Sequence, residues 1–302
     1  MREKIVLLRG GIGSGFSDSI RSGGFVIEHL PKEKYDVVDI LIDKNGTWHR
    51  MGLPITPDVA ILDADVVFNC LHGHFGEDGK IQQILHKFGV PFTGSHILAS
   101  ALGMNKTHTR KILSNHNIQS PFQKILNSNI SPSEAGEIFR AFPFPAVLKP
   151  ISGHGGENIH KVKTPEDLVV AASKLASNFP EIILEEDIDG KSVSCFVVEK
   201  LRGRDLYTFM PLHDESNKSG RDAFLQSEVE NLEKISKDVF NVLNLRHIAQ
   251  VDLILSPSRG AYVIEVNTQP IYHENSKILT ALKSVGLKPS DFFEHMIKIA
   301  KS

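Results

Sequence analysis

Two apolar stretches, Val251-Asp252-Leu253-Ile254-Leu255 and Ala261-Tyr262-Val263-Ile264-Glu265-Val266-Asn267, flank the turn-rich connection Ser256-Pro257-Ser258-Arg259-Gly260. They read as two neighbouring strands, and they constrain the fold because each carries polar groups inside an apolar run. Side chains alternate along a strand, so Glu265 and Asn267 point to one face, and Asp252 can reach that face from its partner strand. Two carboxylates and an amide oxygen make a hard, all-oxygen site. Such a site suits Mg²⁺, which takes few protein ligands and completes its shell with water and phosphate. The competing reading is a sheet edge with solvated acids.

Charge is balanced: 34 Lys and Arg stand against 36 Asp and Glu, a net of −2, which argues against a nucleic-acid partner or an anionic membrane surface. No apolar run reaches transmembrane length, and Met1-Arg2-Glu3-Lys4 followed by Ile5-Val6-Leu7-Leu8 is too short for a signal peptide. Cys70 and Cys195 lie in apolar, strand-like contexts without metal spacing, as expected of reduced core thiols in a cytoplasmic protein.

The 302 residues suffice for two or three compact units. Strand candidates Ile5–Arg9, Val37–Ile42 and Val66–Leu71 alternate with helical stretches Ile20–Leu30 and Gly79–Phe88, the pattern of a parallel sheet covered by helices. A helical stretch from His96 to about His116, interrupted near Gly103, leads into a small α+β unit. That unit contains Phe122–Leu126, a helix near Ser133–Ala141, Ala146–Lys149, a glycine loop, Ile159–Val162 and a helix from Pro165 to Ser177. Glu181–Glu186, a strand Ser192–Leu201, a helix from about Ser227 to Leu243, the two acid-bearing strands and two terminal helices follow. Three units are therefore expected: α/β over 1–95, then α+β over 96–180 and over 181–302.

Three loops carry chemistry. Gly10-Gly11-Ile12-Gly13-Ser14-Gly15 joins the first strand to a helix and is only loosely like a dinucleotide fingerprint, so a tight turn beside another small ligand is the better reading. Leu71-His72-Gly73-His74-Phe75-Gly76-Glu77-Asp78-Gly79-Lys80 leaves the carboxyl end of a strand, where open α/β sheets bind ligands. Lys149 ends an apolar strand just before Ile151-Ser152-Gly153-His154-Gly155-Gly156. An ammonium beside a flexible glycine loop suits a triphosphate, although the order of the parts is not that of a Walker loop.

In combination, Leu71-His72-Gly73 with Gly76-Glu77-Asp78-Gly79, Met104-Asn105-Lys106, Val147-Leu148-Lys149-Pro150 and Glu265-Val266-Asn267-Thr268 with Pro270 are highly specific. The chain resembles, over essentially its whole length, the D-alanine–D-alanine ligase family of ATP-grasp enzymes. The resemblance implies an ATP-grasp fold with an N-terminal parallel-sheet, Rossmann-like domain. It implies that Lys106 and Lys149 contact ATP phosphates, that Gly153, Gly155 and Gly156 lie in a lid, and that Glu185, Glu186 and Ile188 form the adenine hinge. Asp252, Glu265 and Asn267 would hold two Mg²⁺, with Mn²⁺ as a substitute. Family members phosphorylate a carboxylate and let an amine displace the phosphate, here supplying the dipeptide of peptidoglycan. Partners are then small amino acids, and a homodimer is compatible with the family.

The departures cluster at the amino-acid site. The family's Glu for the first ammonium corresponds to Gly15, its lid Ser to Gly155, the Arg before the metal Asp to Gln250, the ribose-binding Glu to Ser192, and a Gly to Ile271. The family's mobile Tyr-containing loop is reduced to Leu212–Gly220. His72 and Ser276 are retained, Ser276 matching a residue that binds the second carboxylate. Losing the partner of a buried ammonium costs roughly 3–5 kcal/mol. Either Asp18, His74 or His154 substitutes, or the substrates differ. A divergent D-alanine–D-alanine ligase is the leading reading; a related ligase with other amino or hydroxy acids, and a nucleotide-binding protein that no longer ligates, are the alternatives.

Overall fold

The computed structural model describes residues 2–151, 158–214 and 223–302, and these build three sheets with flanking helices. The first runs through β1 (Glu3–Gly10), α1 (Phe16–His29), β2 (Tyr35–Ile42), β3 (Trp48–Arg50), β4 (Leu53–Ile55), α2 (Pro57–Ile61), β5 (Val66–Asn69) and α3 (Lys80–Lys87). Strand order is β4-β3-β2-β1-β5, with β1 parallel to both β2 and β5. An antiparallel β3–β4 hairpin thus extends the parallel sheet anticipated from the sequence. Its strands have three residues each, too few to show a period, and Pro54 sits in the edge strand, where a missing N–H is tolerated. Ile5 to Leu8 are fully buried because β1 is covered on both faces. Ile5 and Leu7 pack with Val26 of α1, while Val6 and Leu8 pack with Ile81 and Leu85 of α3.

The stretch anticipated as one interrupted helix is two, α4 (Ile97–Met104) and α5 (Lys106–Asn115). The break falls at Asn105, whose side chain accepts from the His108 N–H and caps α5. The cap brings Lys106 to the first position of α5.

The second sheet is antiparallel, in the order β6-β9-β7-β8, from β6 (Gln123–Asn127), β7 (Ala146–Pro150), β8 (His160–Val162) and β9 (Glu181–Glu186). It is backed by α6 (Pro132–Ala141) and α7 (Pro165–Ala176), and Thr164 starts α7 with a capping box to Asp167. The third contains β10 (Lys191–Glu199), β11 (Leu206–Thr208), β13 (Ile248–Ser256) and β14 (Gly260–Asn267) in the order β11-β10-β13-β14, with β12 (Leu212–His213) also on β10. Helix α8 (Gln226–Val242) covers it through Val229, Leu232, Val239 and Phe240.

The chain closes with α9 (Lys277–Ser284) and α10 (Pro289–Ala300), which return to the first sheet: Phe292, Phe293 and Met296 share a core with Ile5, Leu7 and Phe68. Gly153, His154, Gly155 and Gly156 of the anticipated lid, and residues 215–220 of the shortened loop, lie outside the described residues. No helix among the described residues is long and apolar enough to cross a membrane.

His247 joins the first and third sheets. It is 1% exposed, and its Nδ1 accepts the Gly94 N–H at 2.9 Å. Burial, reinforced by the Arg246 guanidinium, pushes the imidazole down from 6.5 to about 3. The unfolded state therefore binds the extra proton first, so stability is intact above pH 6.5 and is lost as pH falls toward 3. By pH 5 the loss from this group should be about 2 kcal/mol. Urea unfolding at pH 7.5 and 5 checks it: wild type should weaken by that much more than His247→Gln, and equal weakening would refute the assignment.

Candidate active site

The acid-bearing face is set by strand register. Gln250 of β13 lies opposite Asn267 of β14, and Asp252 lies opposite Glu265, before a register shift between Asp252 and Leu253. Directly paired residues share a face, so all four side chains converge. Asp252 Oδ1 accepts from Ser194 Oγ at 2.5 Å and from Gln250 Nε2 at 2.9 Å, and its Oδ2 accepts from Asn267 Nδ2 at 2.9 Å. Burial raises the Asp252 carboxyl above its ordinary range, opposed by Lys277 and by the Ser194 and Gln250 donors. Glu265 Oε1 receives Lys106 Nζ at 3.0 Å.

Among the described residues, no three His, Cys, Asp or Glu side chains are grouped to hold a metal. The donor set is instead two carboxylates and an amide on one face, a fit for an ion that keeps much of its shell for water and phosphate.

Lys149 ends β7 in the interior. Its Nζ lies 2.7 Å from Glu185 Oε2, and Arg110 of α5 donates to the same carboxylate oxygen. All three side chains are buried. Burial lowers the Lys149 ammonium from its usual value, and Glu185 opposes this. Two cations on one carboxylate leave a surplus of buried positive charge, which an anionic ligand would neutralise. Glu185 therefore turns its side chain onto Lys149. Glu186 pairs with Arg259, which lies 5.0 Å over the Tyr262 ring, while Ile188 is buried and Ser192 sits opposite Ile254.

The loop after β14 is tied to the first sheet. Glu77 accepts from the Gly73 N–H at 2.8 Å and from the Gln269 N–H at 3.1 Å, and Gln269 Nε2 donates to the Asn69 carbonyl at 2.6 Å. Ser22 Oγ accepts the Tyr272 N–H at 3.0 Å, so its own proton is available to His72 Nε2, 2.8 Å away. His72 is thus oriented by a buried hydroxyl. Ser276 precedes α9, nearly buried, with its Oγ 3.3 Å from the His273 N–H. A cavity of about 410 Å³ brings together Gln250, Asp252, Glu265, Asn267, Ile271, His273, Ser276 and Lys277.

Sequence reasoning missed Ser22, Asn69, Arg110, Ser194, Asp214, Gln269 and Lys277. Most of their partners lie far away in the chain, so the signals were only positional: Gln269 stands between Thr268 and Pro270 of the motif, Asp214 lies in the shortened loop, and Lys277 adjoins Ser276.

Gly15 is spatially constrained. A Cβ there would stand 2.7 Å from the His72 carbonyl oxygen and 2.8 Å from its carbon. Of the candidate substitutes, Asp18 is paired with Arg21, both influencing His273 at the cavity, and His74 lies 3.9 Å from Asp78. Burial would raise the Asp78 carboxyl, but the neighbouring His74 and the backbone N–H groups of Phe75 and Lys80 hold it well below the usual range.

Comparison with known proteins agrees with these motifs. Residues 112–298 match the family model for the D-ala D-ala ligase C-terminus, and residues 52–95 match that for the N-terminus. A D-alanine–D-alanine ligase of Pseudothermotoga lettingae is 29% identical, over 98% of this chain and 99% of its own. The fold is similar to that of the D-alanine–D-alanine ligase of Coxiella burnetii, with a TM-score of 0.87 at 21% identity over 99% of this chain and 94% of that one. It is also similar to the VanG D-Ala:D-Ser ligase of Enterococcus faecalis, with a TM-score of 0.85 at 23% identity over 99% and 100% of the two chains.

Because Gly15 abuts the His72 backbone, Gly15→Glu should not create an ammonium site. It should lower the unfolding free energy by about 1–3 kcal/mol through overpacking. Urea unfolding and the Michaelis constant for D-alanine check this; a tighter constant at unchanged stability would contradict it.

Proposed function

The chain belongs to the D-alanine–D-alanine ligase family, and we propose that it joins two small D-amino acids in an ATP-dependent condensation, with D-alanine as the first. The observation that carries this reading is the convergence of Gln250, Asp252, Glu265 and Asn267 on one face, with Lys106 on Glu265. Asp252, Glu265 and Asn267 would hold Mg²⁺, and Lys106 and Lys149 would face the triphosphate. Bound MgATP supplies the phosphoryl group that activates the first carboxylate and the divalent charge that offsets charge on the transferring group.

The chain's own residues orient the reactants. Lys149, held by Glu185, presents fixed positive charge in a dry site, where it acts more strongly than in water. His72, positioned by Ser22, lines the wall that the first amino acid meets. Ser276 and the start of α9 receive the carboxylate of the second amino acid. The product is a dipeptide of the kind used in peptidoglycan.

A second reading changes one of the two substrates. Gln250 is neutral and Gly15 has no room for a carboxylate, so a different amino or hydroxy acid at one subsite also suits this cavity. The similarity to a D-Ala:D-Ser ligase supports the same variation.

Release of ADP and phosphate that depends on D-alanine, with the dipeptide identified by mass spectrometry from mixed D- and L-amino and hydroxy acids, tests both readings. Glu265→Ala should abolish that release while its melting profile stays near wild type. Full activity in Glu265→Ala would sink the metal assignment, and nucleotide binding without any ligated product would sink the ligase reading.

A further inference from the structure

Lys277 occupies an electrostatically unfavourable place. It is the first residue of α9, whose first turn contains no acid, so its ammonium stands at the positive end of the helix. Two other elements hold it there. Its Nζ lies 2.9 Å from Asp214 Oδ2, just beyond β12, and 2.9 Å from Ser194 Oγ on β10. Asp214 is itself fixed by its N–H to the Ser192 carbonyl at 3.0 Å. Ser194 is fully buried and donates onward to Asp252 at 2.5 Å.

The ammonium stays 4.0 Å from Asp252 Oδ1, and the side chain remains 43% exposed at the cavity. Of the three ammonium donors, Asp214 and Ser194 take two. Among the described residues lining that cavity, Lys277 is the one lysine or arginine.

An ammonium rigidly placed beside a metal-binding carboxylate lies next to whatever anion the metal also binds. Where Asp252 and Glu265 hold Mg²⁺, that anion is the terminal phosphate. Lys106 and Lys149 approach from α5 and β7; Lys277 approaches from the other side of the acid-bearing face, where Gln250 contributes no charge. We infer that Lys277 is a third phosphate-facing lysine, delivered by α9 and aimed by Asp214 and Ser194 at the phosphoryl group undergoing transfer. The inference rests on the ligase reading above.

Titration calorimetry with ATP and with ADP, each with Mg²⁺, on wild type, Lys277→Met and Lys277→Arg, tests it. A half-exposed position at the start of a helix tolerates either change, and a melting curve verifies folding. Lys277→Met should weaken ATP by about tenfold or more, the loss of a charge-assisted hydrogen bond, and ADP by less than about threefold. Lys277→Arg should recover part of the ATP preference, which a purely structural role would not predict. Equal weakening of both nucleotides, or none, overturns the inference and leaves the ligase reading standing. A raised dissociation constant for the amino acid at an unchanged ATP-to-ADP ratio also overturns it, and assigns Lys277 to the acceptor carboxylate. A wild type that binds no nucleotide overturns the ligase reading and this inference together.

Discussion

The cleft depends on a seam of buried hydrogen bonds between the first sheet and the loop after β14. Glu77, buried, spends its two oxygens on two backbone N–H groups from opposite sides of that seam, and Gln269 and Ser22 add further links across it. Each such group would be costly if left unpaired in the interior. The seam therefore has one well-satisfied arrangement, and in it His72 sits against Ser22, which takes the Tyr272 N–H. The aromatic core beneath it, with Tyr272 edge-on to Phe293, extends the same contact into the terminal helices.

Charge alternates across the cleft in a way that no single residue explains. The Arg110–Glu185–Lys149 group carries surplus positive charge in a dry setting, whereas Asp252 and Glu265 supply negative charge nearby. Lys106 and Lys277 touch or approach those acids from two directions. The protein alone thus balances its acids with tethered lysines. Under the ligase reading, a divalent cation arriving on Glu265 would free Lys106 to meet phosphate, so metal and nucleotide binding should be mutually reinforcing.

Much of this was legible in the sequence because it is local. The expected strand Ile5–Arg9 lies inside β1, and the pairing of the two acid-bearing strands follows from alternation and a turn. Buried Cys70 and Cys195 are free thiols, as their apolar contexts suggested. What stayed hidden is non-local. Three-residue strands carry no readable period, and Arg110 sits in a mostly polar helix with nothing in the sequence to mark it as buried. Ser22, Gln269 and Lys277 acquire their roles only when elements far apart in the chain meet. The same holds for Gly15: the missing carboxylate was visible as a letter, but the His72 carbonyl that forbids its return was not.

That last contact has a historical consequence. A chain that has let the His72 loop settle against Gly15 cannot regain a side chain there in one step, because the loop would have to withdraw first, and the loop is fastened through Ser22 and Glu77. Intermediates along the way back would be both less stable and no better at holding substrate. The loss therefore acts as a ratchet. Under the ligase reading, the first amino acid is then gripped by groups other than a side chain at position 15, while the acid-bearing strands are untouched by that constraint.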